Sequence, residues 1–280
     1  MTKLLTAEEE LPFVISTAEQ ELISDFFEFY SEKKHDEKFR ELNKQLLKEC
    51  LSVRGYENYS NQLESGEDFF IQEILAKSNP TLCIDVGANI GRYSASLLEK
   101  TNTRVIAFEP VPTTFIKLIE NLTGYLDRVV LENTGVGSKN ERLNIYHNIN
   151  SHDLATFVEK TQQIEYTSNR LKTTVPVVTL DSYCEKNNIN HIDFLKIDVE
   201  GFESDVFDGA QKIFSELKPK FIQIEFNWHQ LFCNKSLNWF AEQLPDYDVY
   251  QLIPNNWVQR NPVDPLSNLF LFSNFVFVRK

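Results

Sequence analysis

The chain contains no Cys-x-x-Cys pair. Its four cysteines, Cys50, Cys83, Cys184 and Cys233, are scattered, the pattern of a reducing compartment, and none is placed as a nucleophile. Cys83 lies inside an apolar run and reads as a small core residue. Basic residues are also scarce: 28 Lys and Arg stand against 41 Asp and Glu, a net charge of −13. That balance disfavours nucleic acid and anionic lipid, which select clustered cations, and favours a small or neutral partner. No window approaches the roughly 18 uninterrupted apolar residues of a membrane span. The first ten residues turn acidic too early for a secretory signal, so a cytoplasmic protein is expected. A dinucleotide fingerprint, G-x-G-x-x-G, is missing as well.

In its place, residues 82–91 form an apolar run broken by Asp85 that ends in two glycines, Gly87 and Gly91, with Asn89 between them. Leu82, Ile84 and Val86 suit a buried parallel strand, and the glycines allow a tight turn that approaches a ligand closely. A second apolar run, 104–108, ends in Glu109, 22 residues after Gly87. An acid at that distance is where a neighbouring parallel strand presents a carboxylate to a ribose. With Asp85 before it and Asn89 inside it, the turn offers acceptors as well as amides. That suits a cationic or zwitterionic ligand such as S-adenosylmethionine better than a pyrophosphate.

At 42% hydrophobic and 25% charged, 280 residues can bury a core as one large domain, or as one domain with an extension. Residues 1–65 lack glycine until Gly55 and read as amphipathic helices, with Leu22, Ile23, Phe26, Phe27 and Tyr30 on one face and Leu42, Leu46, Leu47 and Leu51 on another. Such helices can cap the main domain, cover its site, or join copies into a homo-oligomer. A further helix is expected over 67–77. From residue 81 strands (81–86, 104–108, 128–132, 192–197, 220–226, 247–252, 274–279) alternate with helices (90–99, 112–122, 181–187, 203–216, 236–244), and extra strands are expected at 141–147 and 173–179. The apolar stretch 269–278, with Ser273 and Asn274 inside it, reads as a turn between two short strands. The rhythm is α/β, with a mostly parallel sheet whose ligands bind at the carboxyl ends of its strands.

Two later strands end in acids. The segment 193–203 runs from a buried strand into Asp198, Glu200, Gly201 and Glu203. Asp198 at the mouth of an apolar strand carries a desolvation cost unless its charge is used. Glu203 reads as a complement to the dipole of the following helix, and Lys196 as a solvated or paired strand residue. The segment 221–229 repeats the arrangement with Glu225, Asn227, Trp228 and His229. Among the five histidines His229 is best placed for general-base work, and His152 is a second candidate.

Asp85-Val-Gly-Ala-Asn-Ile-Gly91, Phe108-Glu-Pro-Val-Pro112, Thr179-Leu-Asp181 and Lys196-Ile-Asp-Val-Glu-Gly-Phe-Glu203 together resemble the FkbM family of S-adenosylmethionine-dependent methyltransferases, over roughly residues 66–280. The resemblance implies a class I, Rossmann-like methyltransferase fold, a seven-stranded mostly parallel sheet with an antiparallel last strand, behind an N-terminal helical extension over 1–65. It implies O-methylation of a sugar, glycan or natural-product-like small molecule by in-line transfer. Asp85, Gly87, Asn89 and Gly91 then hold the methionine end, with Ala88 in the same turn. Glu109 holds the ribose, with Pro110 beside it. Asp198 and Glu200 face the transfer site, and Asp198, Glu200, Glu225 or His229 would take the acceptor's proton. A divalent ion such as Mg²⁺ on those carboxylates could instead acidify the alcohol. Two other classes share parts of this pattern, a nicotinamide-dependent oxidoreductase on a similar sheet and a non-catalytic partner protein retaining a nucleotide pocket. Binding of NAD in place of S-adenosylmethionine marks the first, and cofactor binding without turnover marks the second.

Overall fold

A computed structural model describes residues 16–148, 154–163 and 169–280. His152 lies outside them. The chain divides into two compact units, the first ending at Glu57 and the second running from Asn58 to Lys280.

In the first unit, α1 (Thr17–Lys33) and α2 (Arg40–Val53) bear out the helical reading. Helix α1 starts at a capping box. The Ser16 hydroxyl accepts the Glu19 N–H while the Glu19 carboxylate accepts the Ser16 N–H, so two orphan donors are satisfied at once.

The second unit opens with a helical stretch, α3 (Glu67–Phe69) continuing as a π-helical turn (Phe70–Leu75). It then alternates β1 (Leu82–Val86), α4 (Arg92–Lys100), β2 (Arg104–Phe108), α5 (Pro112–Asn121) and β3 (Val129–Glu132). After β4 (Gly135–Val136), β5 (Glu141–His147) and β6 (Leu171–Val178) come α6 (Leu180–Lys186), β7 (Phe194–Ile197), α7 (Glu203–Asp208) and β8 (Phe221–Phe226). The chain closes with α8 (His229–Cys233), α9 (Leu237–Gln243), β9 (Tyr247–Ile253), β10 (Asn256–Gln259) and β11 (Ser273–Arg279). The main sheet has the order β10-β9-β11-β8-β7-β1-β2-β3, and β4-β6-β5 form a separate small sheet. Strand β11 is antiparallel to both β8 and β9, and β10 is antiparallel to β9, while β1, β2, β3, β7 and β8 pair in parallel.

Alternate residues of the central strands feed two cores. Ile84, Val86, Leu195, Ile197, Ile222 and Ile224 face one, and Cys83, Phe194, Phe221 and Val276 face the other. A parallel sheet covered on both faces buries both sets, which is why these strands read as near-continuous apolar runs.

Three expectations are corrected. The sheet has an eighth strand, because the turn after β9 places Asn255 in the left-handed region (φ 58°) and folds Asn256–Gln259 back as a hairpin, with Trp257 stacked on Tyr250. Residues 273–279 are one strand with no internal turn. Ser273 and Asn274 are buried and satisfied, the first accepting from Gln251 Nε2 at 2.8 Å and the second from Gln223 Nε2 at 3.0 Å. The helix expected over 203–216 breaks at Gly209, whose carbonyl accepts the Asp181 N–H. Among the described residues no helix is long and apolar enough to cross a membrane.

Candidate active site

Register brings the marked residues to one edge of the sheet. Val86 pairs with Phe108 and Ile197, and Ile197 pairs with Ile224. Gly87 therefore lies between Glu109 and Asp198, and Asp198 lies between Gly87 and Glu225. The Asp198 N–H donates to the Val86 carbonyl, and the Gly87 N–H donates to the Phe108 carbonyl. Gly87 has φ +86°, and a Cβ there would stand 1.7 Å from the Asp198 carbonyl oxygen, so only glycine lets these two strand ends meet.

A cleft opens over this turn, lined by Gly87, Ala88, Asn89, Arg92, Lys196, Asp198 and Glu67. Four amides of the turn are already engaged within the protein. Those of Gly87 and Ala88 donate to Phe108, that of Asn89 to Glu109 Oε2 and that of Gly91 to Ala88. The expectation that the turn offers its amides to a ligand is thus corrected, and a pyrophosphate cradle of the dinucleotide kind cannot be built from them.

Lys196, which lines the cleft, forms with Asp85 and Gln223 a polar row on one face of three adjacent strands, Asp85 registered with Lys196 and Lys196 with Gln223. Asp85 is fully buried. It accepts from Ser94 Oγ at 2.6 Å and faces Lys196 Nζ at 3.8 Å, so it braces the site from below and does not line the cleft. Lys196 is buried, donates to Asp198 Oδ2 at 2.8 Å and sits 4.9 Å over the Tyr93 ring. Burial works to lower its pKa, but Asp198, Asp85 and Glu67 outweigh burial and hold the ammonium above the usual lysine range. Burial raises the Asp85 and Glu67 carboxyls, with Lys196 opposing in both. Gln223 accepts from Tyr93 Oη at 2.7 Å and donates to Glu67 Oε1 at 3.1 Å.

Glu109 is buried. Its Oε1 accepts the Val111 N–H at 2.8 Å and its Oε2 the Asn89 N–H at 3.1 Å, tying the end of β2 to the β1 turn. Burial raises its pKa to about 7, against those two amides. Pro110 is buried beside it, and the Pro110 carbonyl accepts from Asn133 Nδ2. Gly91 is the cap residue of α4. A Cβ there would meet Leu118 Cδ1 at 2.6 Å, which makes it a packing position behind the turn.

On the β8 side, Asp198, Glu200 and Glu225 each bring a carboxylate oxygen within 4.8 Å of the others, a spacing that could hold a metal ion. Burial, then Asp198 and Glu200, push the Glu225 carboxyl well above the ordinary range. His229 opens α8 and is fully buried. Its Nδ1 lies 2.8 Å from Asn227 Oδ1 and 3.2 Å from Glu200 Oε2. Asn227 Oδ1 also accepts the His229 N–H, and its Nδ2 donates to Glu225. Burial drops the imidazole pKa to about 4, with Asp198 opposing.

Other motif residues are structural. Glu203 stands in the first turn of α7, as the dipole reading expects, and also turns back, its Oε1 accepting the Val199 and Gly201 amides and its Oε2 accepting from Gln230 Nε2, so it pins the Asp198–Gly201 loop. Thr179 caps α6, and Asp181 accepts the Lys212 and Ile213 amides. All four cysteines are free. Burial lifts the Cys83 and Cys184 thiols to about 12 and Cys233 to about 11, which leaves them unreactive.

Sequence reasoning missed Glu67, Tyr93 and Gln223. They lie on three separate elements, the short helix Glu67–Phe69, α4 and β8, and only register and tertiary packing bring them together. A polar side chain at the same depth in three consecutive parallel strands is the signal that could have found the row.

A family model described as "Methyltransferase FkbM domain" matches residues 85–247. The 2-O-methyltransferase NoeI of Sinorhizobium fredii is 28% identical over 196 residues, covering 66% of this chain and 75% of that protein. Methyltransferase 1 of Beauveria bassiana is 24% identical over 149 residues, 45% of this chain; the match spans 57% of the fungal protein's length. Among solved structures, an O-methyltransferase from Bacillus cereus in complex with SAH aligns at 11% identity over 92% of this chain and 97% of that one, with a TM-score of 0.43.

Proposed function

The chain belongs to the FkbM methyltransferase family, an S-adenosylmethionine-dependent class, and on that premise we propose that it methylates a hydroxyl oxygen of a sugar or similarly hydroxylated small acceptor. The 28% identity with a 2-O-methyltransferase supports oxygen as the atom methylated.

The donor set fits the cofactor. Glu67 and Asp198 line the cleft together with Lys196 and Arg92, a mixed-sign lining that suits a zwitterionic amino acid end, and the engaged turn amides leave no pyrophosphate cradle. When bound, S-adenosylmethionine supplies a methyl group activated on a sulfonium sulfur. Gly87, Ala88, Asn89 and Asp198 would hold its amino acid end, and Glu109 its ribose. Asp85 and Gly91 would act through the turn they support.

For the acceptor, the chain must align one hydroxyl and remove its proton. The observation that carries this reading is the Glu200–His229 pair, 3.2 Å apart beside Asp198. Asn227 Oδ1 and Glu200 Oε2 are both acceptors, so the imidazole proton sits on Nδ1 and Nε2 keeps its lone pair. With a pKa of about 4 the ring is neutral at neutral pH. Its buried Nε2 would accept the proton of an acceptor hydroxyl brought against it, and the Glu200 carboxylate would offset the burial that weakens the base by stabilising the resulting imidazolium. Alignment of the reactants is worth roughly 7–11 kcal/mol, and base catalysis about 10²–10⁴-fold. His229→Asn should therefore lower kcat by about 10²–10⁴-fold while S-adenosylmethionine affinity stays within about twofold. The assay is labelled methyl transfer to a panel of sugars, amines and hydroxylated metabolites. Transfer to amines alone, or an unchanged kcat, rejects the assignment.

The carboxylates at 198, 200 and 225 favour a second arrangement. A hard divalent cation such as Mg²⁺ would relieve their repulsion and acidify a bound hydroxyl. Transfer lost in chelator and restored by Mg²⁺ marks that arrangement, and transfer that persists in chelator rejects it.

A further inference from the structure

Glu67, which lines the cleft, lies outside the family match, which begins at residue 85. Its position is nonetheless fixed. Gly66 has φ +80°, and a Cβ there would stand 2.5 Å from the carbonyl oxygen and 2.8 Å from the nitrogen of Ile253, at the end of β9. No other residue fits against that strand, so the backbone delivers Glu67 to one place. The side chain is then held from both sides, Oε2 accepting from Ser65 Oγ at 2.9 Å and Oε1 accepting from Gln223 Nε2 at 3.1 Å. Gln223 is itself fixed by Tyr93 and Asn274. Each carboxylate oxygen keeps a second lone pair, and Gln62 also lines the cleft.

The charges around the cleft do not balance. Glu67, Asp85 and Asp198 interact with a single buried cation, Lys196, whose closest contacts are Asp198 and Asp85; Arg92 also lines the cleft but is exposed and, among the described residues, forms no ion pair with any of the three. Of the three acids, Glu67 and Asp198 line the cleft and Asp85 does not. Lys196 is pledged to the two strand-end aspartates, so Glu67 is the carboxylate left facing the cleft without an ion-pair partner at contact distance among the described residues. A ligand that presents a cation to the cleft would complete it.

We infer that Glu67 is a cofactor-selecting residue that accepts the α-ammonium of the methyl donor's amino acid end, so that the cleft distinguishes donors carrying that group from analogues lacking it. The inference rests on the cleft being the cofactor site. Calorimetry on the full chain with S-adenosylhomocysteine and with its analogue in which hydrogen replaces the α-amino group tests it. The unsubstituted protein should prefer the amino form, and Glu67→Gln, which keeps the shape and the Ser65 and Gln223 contacts, should shrink that preference by about 10- to 100-fold, the worth of a charge-assisted hydrogen bond. Glu67→Asp should recover part of it. If Glu67→Gln weakens both ligands equally, or neither, the selecting role is overturned even though the cleft still binds cofactor. If the unsubstituted protein binds neither ligand, the cofactor assignment of the cleft falls and the inference with it. An unchanged melting temperature for Glu67→Gln separates lost recognition from lost fold.

Discussion

Glu109 couples the cofactor site to pH. Its carboxyl is lifted to about 7 by burial in spite of two backbone donors, so near neutrality it is half protonated. A ribose diol donates two hydrogen bonds and favours the ionised form, so cofactor affinity should rise as pH climbs through about 7 and level off above it. Stability should move the opposite way. The folded pKa lies above the unfolded value, the native state holds the extra proton between the two, and the stabilising contribution is complete below about 4.5 and lost as pH rises through about 7. The size is about 3 kcal/mol for a group this buried. Glu109→Gln should flatten both profiles in calorimetric and denaturant titrations, and a profile unchanged by the substitution would sink the assignment. Lys196 poses the converse case. It is the cation that compensates fully buried Asp85, so Lys196→Met should cost roughly 3–5 kcal/mol in urea unfolding, the penalty of an orphaned buried charge. Adding Asp85→Asn should recover part of the loss, and a strictly additive double mutant would show that the two do not interact.

At the scale of elements the site depends on one turn. Gly87→Ala meets both a left-handed φ and a Cβ 1.7 Å from the Asp198 carbonyl, so its cost should exceed the roughly 1–2 kcal/mol of the backbone conformation alone. It should also part β1 from β7, reducing cofactor affinity together with melting temperature; a variant as stable as the parent would contradict the close approach. This turn was legible in the sequence because glycine chemistry is local. So were the central strands, whose apolar runs are what a doubly covered parallel sheet requires. The β10 hairpin was not, since Asn256–Gln259 is short, with only Trp257 and Val258 apolar, and is held by a left-handed Asn255 and the Trp257–Tyr250 stack. Ser273 and Asn274 misled for the same reason. They looked like turn residues, and only the buried amides of Gln251 and Gln223 make them strand residues. At the site, the acids at 109, 198, 200 and 225 stood at the ends of visible strands, whereas Glu67 and Gln223 gain their roles from register and from a backbone crossing at Ile253.

For the whole molecule the question is where the catalytic unit begins. The family match starts at residue 85, and the sequence alone placed the start of the domain at 66. The compact unit begins at Asn58, and the eight residues between those last two positions contain Gln62, which lines the cleft, and Ser65, whose hydroxyl holds Glu67. Ser65 is buried, and its amide donates to the Asn61 carbonyl, so the stretch is tied to itself as well as to the site. A chain starting at Asn58 should fold cooperatively and bind S-adenosylmethionine within about twofold of the full protein. A chain starting at Gly66 loses the Ser65 hydrogen bond and the Gln62 lining, and its affinity should fall by about tenfold, the worth of one or two hydrogen bonds at roughly 1 kcal/mol each. Parallel calorimetry and thermal unfolding of the two truncations decide the matter. Equal affinities would place the start of the functional unit at or beyond 66, and a failure of the Asn58 chain to fold would show that the first unit supports the second.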